Sequence, residues 1–529
     1  MKKYGHLIAI FLIITIACLF FASEKDGLHI DEIYSFGLSN SYYAPYLTDI
    51  KGGNLVDEVI TRQELLDYLT VGSDDAFAFG SVYYNQTRDV HPPLYYWLLN
   101  SVSSLFRNLG FSKWPALGLN LLLYLTTLFV LYRLAQELFE STAGSAAVIL
   151  LYGLSSIGIS CFILIRMYSL LSLLSVLLAL LVLRLEKSKK KRYYPFICLA
   201  VFLGMMTQYY FVFYAFFLCL SYDIYLLIKK DCRHLLRFSV SALLGIGLMV
   251  LAFPACIKHI FVGNGQVVSG ENTVDNIMNI SGWAAKFARY FENAKQLRIF
   301  LYALVFLTMF VFCYTTVMRL KGRANKQSHS RTPMVPVIIL PAYIAFITVV
   351  IVSPVNEMRY IYNITPVMMM LICPVVKRLS GIAEGTGHKA LILNLAFAAL
   401  LLVSLRELSV NSPDYLYKDE KNFSAVTDEY TDIPCVYFDD NYFAPVTADI
   451  LQLLKYDEFL VFNDPESERF KDYISNSDSY IAYLDNSWYW SGGVYYELVR
   501  HALGEASGYR DSELVYEHGL SITYVFRED

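Results

Sequence analysis

The chain has 529 residues, of which 56% are hydrophobic and 17% charged, with a formal net charge of −4. A soluble chain carries roughly 25% charged residues, so this composition excludes an ordinary soluble enzyme. Seven of the nine cysteines lie inside apolar runs (Cys18, Cys161, Cys198, Cys219, Cys256, Cys313 and Cys373), and none has the spacing of a zinc site or a disulfide framework.

A membrane-crossing helix needs roughly 20 apolar residues. Runs of that kind lie at about 6–22, 114–133, 143–163, 165–185, 194–211, 212–229, 236–256, 298–318, 333–353, 359–376 and 389–406. The first reads as an uncleaved anchor, because no small-x-small cleavage site follows it and the chain crosses again later. A twelfth apolar stretch, 94–106, begins after Pro92-Pro93, residues that favour a helix start. Loop charge decides whether it crosses. Short loops rich in Lys and Arg stay in the cytoplasm. The basic clusters are Lys2-Lys3, Lys187 to Arg192, Lys229 to Arg237, Arg319 to Arg331 and Lys377 to Lys389. With eleven spans they all fall on the side of the N-terminus; with twelve, most move outside. Residues 23–113 are therefore one outer loop, with 94–106 as an interfacial or shallow re-entrant helix. Lys187–Arg192 reads as a topology signal and a contact for anionic lipid, not as a nucleic-acid patch. In the outer loop 257–297, Gly282–Lys295 has the pattern of an amphipathic helix lying on the membrane.

From 407 onward the chain holds 25 acidic and 8 basic residues, which suits a water-exposed outer domain. Strands are expected at 435–438, 459–462, 480–484 and 521–526, with helices at Thr447–Leu454, Glu468–Ile474 and Tyr495–Ala502. The fold expected is a polytopic α-helical membrane domain (1–406) followed by a small C-terminal α/β domain (407–529). No phosphate loop or catalytic triad is visible in that domain. Asp439-Asp440 reads as a solvated strand end rather than a metal site.

Ionisable groups at a membrane boundary are costly unless they serve a purpose. In the eleven-span arrangement they gather on the outer side: Asp31-Glu32 after the first span, Asp89 and His91 in "RDVHPPLYYW", Arg166 and Tyr168 in "LIRMYSLL", Gln208-Tyr209-Tyr210 at a helical turn, and Glu357, Arg359 and Tyr360 in "NEMRYIYNITP". Carboxylates supply a general base for a hydroxyl acceptor. Arginines supply clamps for a phosphate, and a phosphate at a membrane boundary implies a lipid-linked one.

These segments together, DE after the first span, D-x-HPPLYY, RMY and E-x-RY…P, resemble the GT-C membrane glycosyltransferases over roughly residues 5–406, in the branch of the bacterial protein O-mannosyltransferases and the aminoarabinose transferase of lipid A. The resemblance implies a polyprenyl-phosphate sugar donor, a lipid, protein or cell-wall acceptor, a bacterial plasma membrane location, and eleven to thirteen spans with juxtamembrane helices in the first outer loop. It implies Asp31 as the catalytic base with Glu32 in support. It also implies His91, Arg166 and Arg359 at the donor phosphate, with His91 standing where relatives often carry Lys. Asp89, Tyr168, Gln208, Tyr209, Tyr210, Glu357 and Tyr360 are candidate substrate contacts. Inversion at the anomeric carbon is expected. No cofactor is required by the sequence, although some GT-C enzymes use a divalent metal at equivalent acidic residues.

Duller readings stand beside these. Asp31-Glu32 could cap a helix, His91 could hydrogen-bond its own loop, Arg166 could snorkel to headgroups, Tyr209 and Tyr210 could belong to an aromatic belt, and Arg359 could end a helix. A transporter or flippase for a lipid-linked sugar, a surface polysaccharide polymerase and a non-catalytic assembly protein are the competing functions. The transporter should place charges at mid-membrane on broken helices.

Overall fold

The computed structural model describes residues 5–261, 276–293, 333–353, 357–385, 389–439, 443–486, 495–509, 511–518 and 521–528, with five single positions between 304 and 316. The expected span at 298–318, and Asp440, lie outside the described residues. The chain divides into two compact units.

The first unit comprises Met1–Ala22, Asp89–Tyr95 and Leu117–Asp414. Among the described residues of the chain, eight helices are long and apolar enough to cross a membrane: Gly5–Ser23, Trp114–Phe139, Tyr168–Ser188, Phe211–Ile228, Cys232–Ala252, Met334–Val352, Thr365–Ala383 and Ala390–Val410. Tyr168–Ser188 is the most enclosed, with 83% of its most apolar window buried. Its serines make that enclosure tolerable: Ser169 donates to the Cys161 carbonyl and Ser172 to the Tyr362 carbonyl.

Three departures from the expected spans have local causes. The run at 143–163 is two helices, Thr142–Gly153 and Ser156–Ile163, bent by 60°. Ser155 caps the second by accepting from the Gly158 amide, and the Glu407 carboxylate accepts from the Ser156 amide at 2.8 Å. The break is thus satisfied by side chains. The span expected at 359–376 starts later, at Thr365, because Met358–Ile361 forms a 3₁₀ turn and Pro366 opens the helix that follows. The run at 194–211 gives a helix of 13 residues, Tyr193–Met205, since the chain turns at Thr207–Tyr210.

The expected interfacial segment forms a helix at Leu94–Leu105, 12 residues long, about 18 Å and too short to span. The amphipathic helix lies at Ile280–Asn293. It packs on Met334–Val352, with Lys286 donating to the Ile351 and Ser353 carbonyls and Tyr290 to the Glu357 carbonyl.

The second unit comprises Ser23–Arg88, Tyr96–Ala116 and Tyr415–Asp529. Its centre is a six-stranded sheet of β1 (Glu58–Thr61), β2 (Cys435–Phe438), β3 (Glu458–Phe462), β4 (Ser479–Asp485), β5 (Asp511–His518) and β6 (Ser521–Arg527), in the order β1-β3-β2-β4-β6-β5. The three central strands are parallel and fully apolar inside, as sheets covered on both faces require. Antiparallel strands close both sides. One core joins Val436, Leu460, Phe462, Phe470, Tyr480, Leu503 and Phe526.

The sheet takes its edge strand β1 from the stretch 23–88, which belongs to one unit with residues 415–529. Four residues, Glu-Val-Ile-Thr, are too short to announce a strand in isolation; pairing with β3 makes them one. The helix expected at Thr447–Leu454 is two short ones, Ala444–Ala448 and Ile450–Leu453, parted at Asp449, which accepts the Tyr437 hydroxyl. Asp439 is not a solvated strand end. It is fully buried and accepts from the Phe443 amide at 2.9 Å.

Candidate active-site residues in two units

In the first unit, the segment Asp89–Tyr95 is pinned at both ends of its double proline. Asp89 Oδ2 lies 2.7 Å from His91 Nδ1. The Leu94 amide donates to the Met206 carbonyl, and the Tyr95 hydroxyl donates to Asn120 Oδ1 at 3.1 Å. The Asn120 amide group donates in turn to the Phe162 and Leu164 carbonyls, at 3.0 and 2.8 Å. Those carbonyls end the bent helix just before Arg166. One buried asparagine therefore joins the turn that carries Arg166 to the segment that carries Asp89 and His91.

Arg166 is buried, with 5% of its surface exposed, which removes the snorkelling reading for its head group. Burial pushes the Asp89 carboxyl up, but His91 and the Arg166 guanidinium outweigh it and hold the group below the ordinary value of 3.8. Tyr209 also stands in the field of Asp89; burial first, then neighbouring Cys256 and Asp89, pushes its hydroxyl up. That hydroxyl meets His259 Nδ1 at 2.9 Å.

Gln208 shapes the turn by accepting from the Tyr210 amide at 2.6 Å. Tyr210 packs on Tyr360 with ring centres 5.1 Å apart, and Tyr168 packs edge-on against Tyr362. Arg359 pairs with Glu357 at 2.5 Å and lies over the Tyr360 ring. The first unit thus holds Asp89, His91, Arg166, Tyr168, Gln208, Tyr209, Tyr210, Glu357, Arg359 and Tyr360. Asn120, His259 and Tyr95 were missed by sequence reasoning. Asn120 sits in an apolar run, where a buried amide is itself a signal.

Asp31 and Glu32 belong to the second unit, at the start of the helix Ile30–Asn40. The two carboxylates differ. Glu32 is fully buried, 2.9 Å from the equally buried Lys25 ammonium, and accepts from the His29 amide at 2.7 Å. Lys25 also donates to the Tyr415 carbonyl at 2.6 Å, and Lys113 donates to the Lys25 carbonyl. The capping reading therefore holds for Glu32. Asp31 keeps 21% of its side chain exposed and lies 3.6 Å from His29 Nδ1, while the His29 ring packs beside Tyr415 and Tyr417. Among the described residues no group of three or more His, Cys, Asp or Glu side chains could hold a metal ion.

Residues 90–257 match the family model of the dolichyl-phosphate-mannose-protein mannosyltransferases. The resemblance is to membrane glycosyltransferases. The matched stretch carries His91, Asn120, Arg166, Tyr168 and Gln208–Tyr210. A search of curated proteins gave no match. Two solved structures to which the chain is similar are crystal structures of ArnT from Cupriavidus metallidurans, one bound to undecaprenyl phosphate and one in the apo state. Each is 11% identical and covers 99% of this chain and 98% of its own, with TM-scores of 0.49 and 0.48.

Proposed function

We propose that the chain is a membrane glycosyltransferase that moves a sugar from a polyprenyl-phosphate donor to a hydroxyl acceptor at the outer face of the membrane. The buried arginine held beside Asp89 and His91, inside the stretch that matches the family model, carries this reading. A guanidinium is costly to bury unless it meets an anion. A lipid phosphate needs such a partner when it leaves with the negative charge.

In this reading Arg166, His91 and Arg359 bind the donor phosphate, and the Glu357 pair and the Tyr360 ring hold Arg359 in place. Asp31 takes the acceptor hydroxyl proton as that oxygen bonds to the anomeric carbon. The sugar–oxygen–phosphate bond breaks with its electrons on the phosphate, and the configuration inverts. Glu32 keeps the start of the Asp31 helix fixed rather than touching the acceptor. The tail unit selects the acceptor. The test is transfer of labelled sugar from a panel of polyprenyl-phosphate sugars in membranes, wild type against Arg166→Gln. Donor-dependent labelling that vanishes in a folded variant supports the reading; no labelling with any donor and envelope material as acceptor rejects it.

One observation favours a second reading, a flippase for the same class of lipid: the bent span with Glu407 on its break resembles the discontinuous helices of transporters. Glu407→Gln would then abolish translocation of a labelled lipid-linked sugar across vesicles while leaving transfer unchanged.

A further inference from the structure

The first unit contains a cleft of about 1540 Å³, larger than the roughly 300–1,000 Å³ of a small-molecule site. It is formed by the start of Gly5–Ser23, the end of Trp114–Phe139, the start of Thr142–Gly153, and parts of Met334–Val352, Thr365–Ala383 and Ala390–Val410. Chain order places it away from Arg166 and Arg359. The single helix Trp114–Phe139 carries Asn120, which bonds the Leu164 carbonyl just before Arg166, and Phe139, which lines the cleft and accepts from Lys377; the two positions are 19 residues or about 28 Å apart. That is close to the ~30 Å thickness of the hydrocarbon layer. The cleft therefore lies at the other membrane boundary, which is the cytoplasmic one in the orientation argued from loop charge.

Its lining is mostly apolar, with Ile10, Leu150, Phe397 and Leu401 among it, and also includes His6, Lys377, Arg378 and Glu140. Lys377 is committed to the Phe139 carbonyl at 2.7 Å, closing the end of that helix. Among the described residues, no hydrogen bond or ion pair engages the Arg378 guanidinium. A large apolar cleft with a guanidinium in its lining, and two permanent cations against one carboxylate, matches a molecule with long hydrocarbon chains and a negative head. Basic pockets between helices on the cytoplasmic side suit such lipids.

The geometry points to an anionic phospholipid of the bilayer as the occupant, its phosphate on Arg378 and its acyl chains along the cleft. This site is separate from the donor-phosphate residues and does not depend on the glycosyltransferase reading.

The experiment is native mass spectrometry of the full chain in detergent, titrated with phosphatidylglycerol and with phosphatidylcholine of identical acyl chains. Phosphatidylglycerol is expected to bind about tenfold more tightly to wild type. Arg378→Gln should lose most of that preference, and Arg378→Lys should keep it. Ala398→Trp, which fills the cleft wall, should remove the high-affinity lipid while the protein stays monodisperse. Equal binding of the two lipids to wild type overturns the proposal, as does an unchanged preference in both Arg378→Gln and Ala398→Trp. None of these outcomes bears on sugar transfer, so the two readings fail separately.

Discussion

Two carboxylate contacts, one in each unit, show how similar pairings serve opposite purposes. Lys25 and Glu32 meet at 2.9 Å with no exposed side-chain surface. Asp89 and His91 meet at 2.7 Å with 14% and 18% of their side chains still open. The first pair ties Ser23–Arg88 to the tail through the Tyr415 carbonyl. The second keeps exposed surface and lies in the field of Arg166. A pair without access can only stabilise, whereas a partly open one can trade partners.

That contrast is broken most severely at neighbouring positions. Asp31→Asn is expected to lower sugar transfer by about 10²–10⁴-fold, the usual contribution of a positioned base, with the melting temperature unchanged. Transfer at the wild-type rate would remove Asp31 from the reaction. Glu32→Gln should do the reverse. Leaving Lys25 buried without its partner costs about 3–5 kcal/mol, read as a fall in thermal stability and easier proteolysis between residues 23 and 88. An unshifted melting curve would mean that the pair carries no stability.

Asn120→Ala sharpens the contrast from the helical side. It removes the hydrogen bonds to the Tyr95 hydroxyl and the Phe162 and Leu164 carbonyls, at about 1–3 kcal/mol. Because it loosens the turn before Arg166, KM for the donor should rise more than kcat falls. Equal changes in both would point to general unfolding instead.

The smallest effect expected is in the pH profile. The Asp89 carboxyl is held below its ordinary value of 3.8. Its contribution to stability is present above that value and lost only as pH falls through the lower folded value. Asp89 therefore stays ionised near neutrality, and Asp89→Asn should leave the acid limb of the activity profile in place while weakening donor binding. An acid limb abolished by Asp89→Asn would contradict this assignment.

Most of the helical architecture was legible because hydrophobic length is a local property: a span needs its own residues and little else. The helix after Pro92-Pro93 and the central strands of the tail were legible for the same reason. The edge strand Glu58–Thr61 was not, since its partner β3 lies about four hundred residues away in the chain. Nor was the 60° break at Gly153–Ser156, which depends on Ser155 together with Glu407 from a distant helix.

The sequence by itself determined that this protein crosses a membrane many times and where its boundary charges cluster, because burial of apolar length and the cost of charge in lipid follow from composition alone. Only the tertiary structure decided that Glu32 is locked to Lys25 while Asp31 keeps an open edge, and that Asn120 joins two loops more than forty residues apart. Adjacent residues have nearly the same sequence context. What differs is which side chain the fold turns inward, and that is fixed by packing partners from elsewhere in the chain.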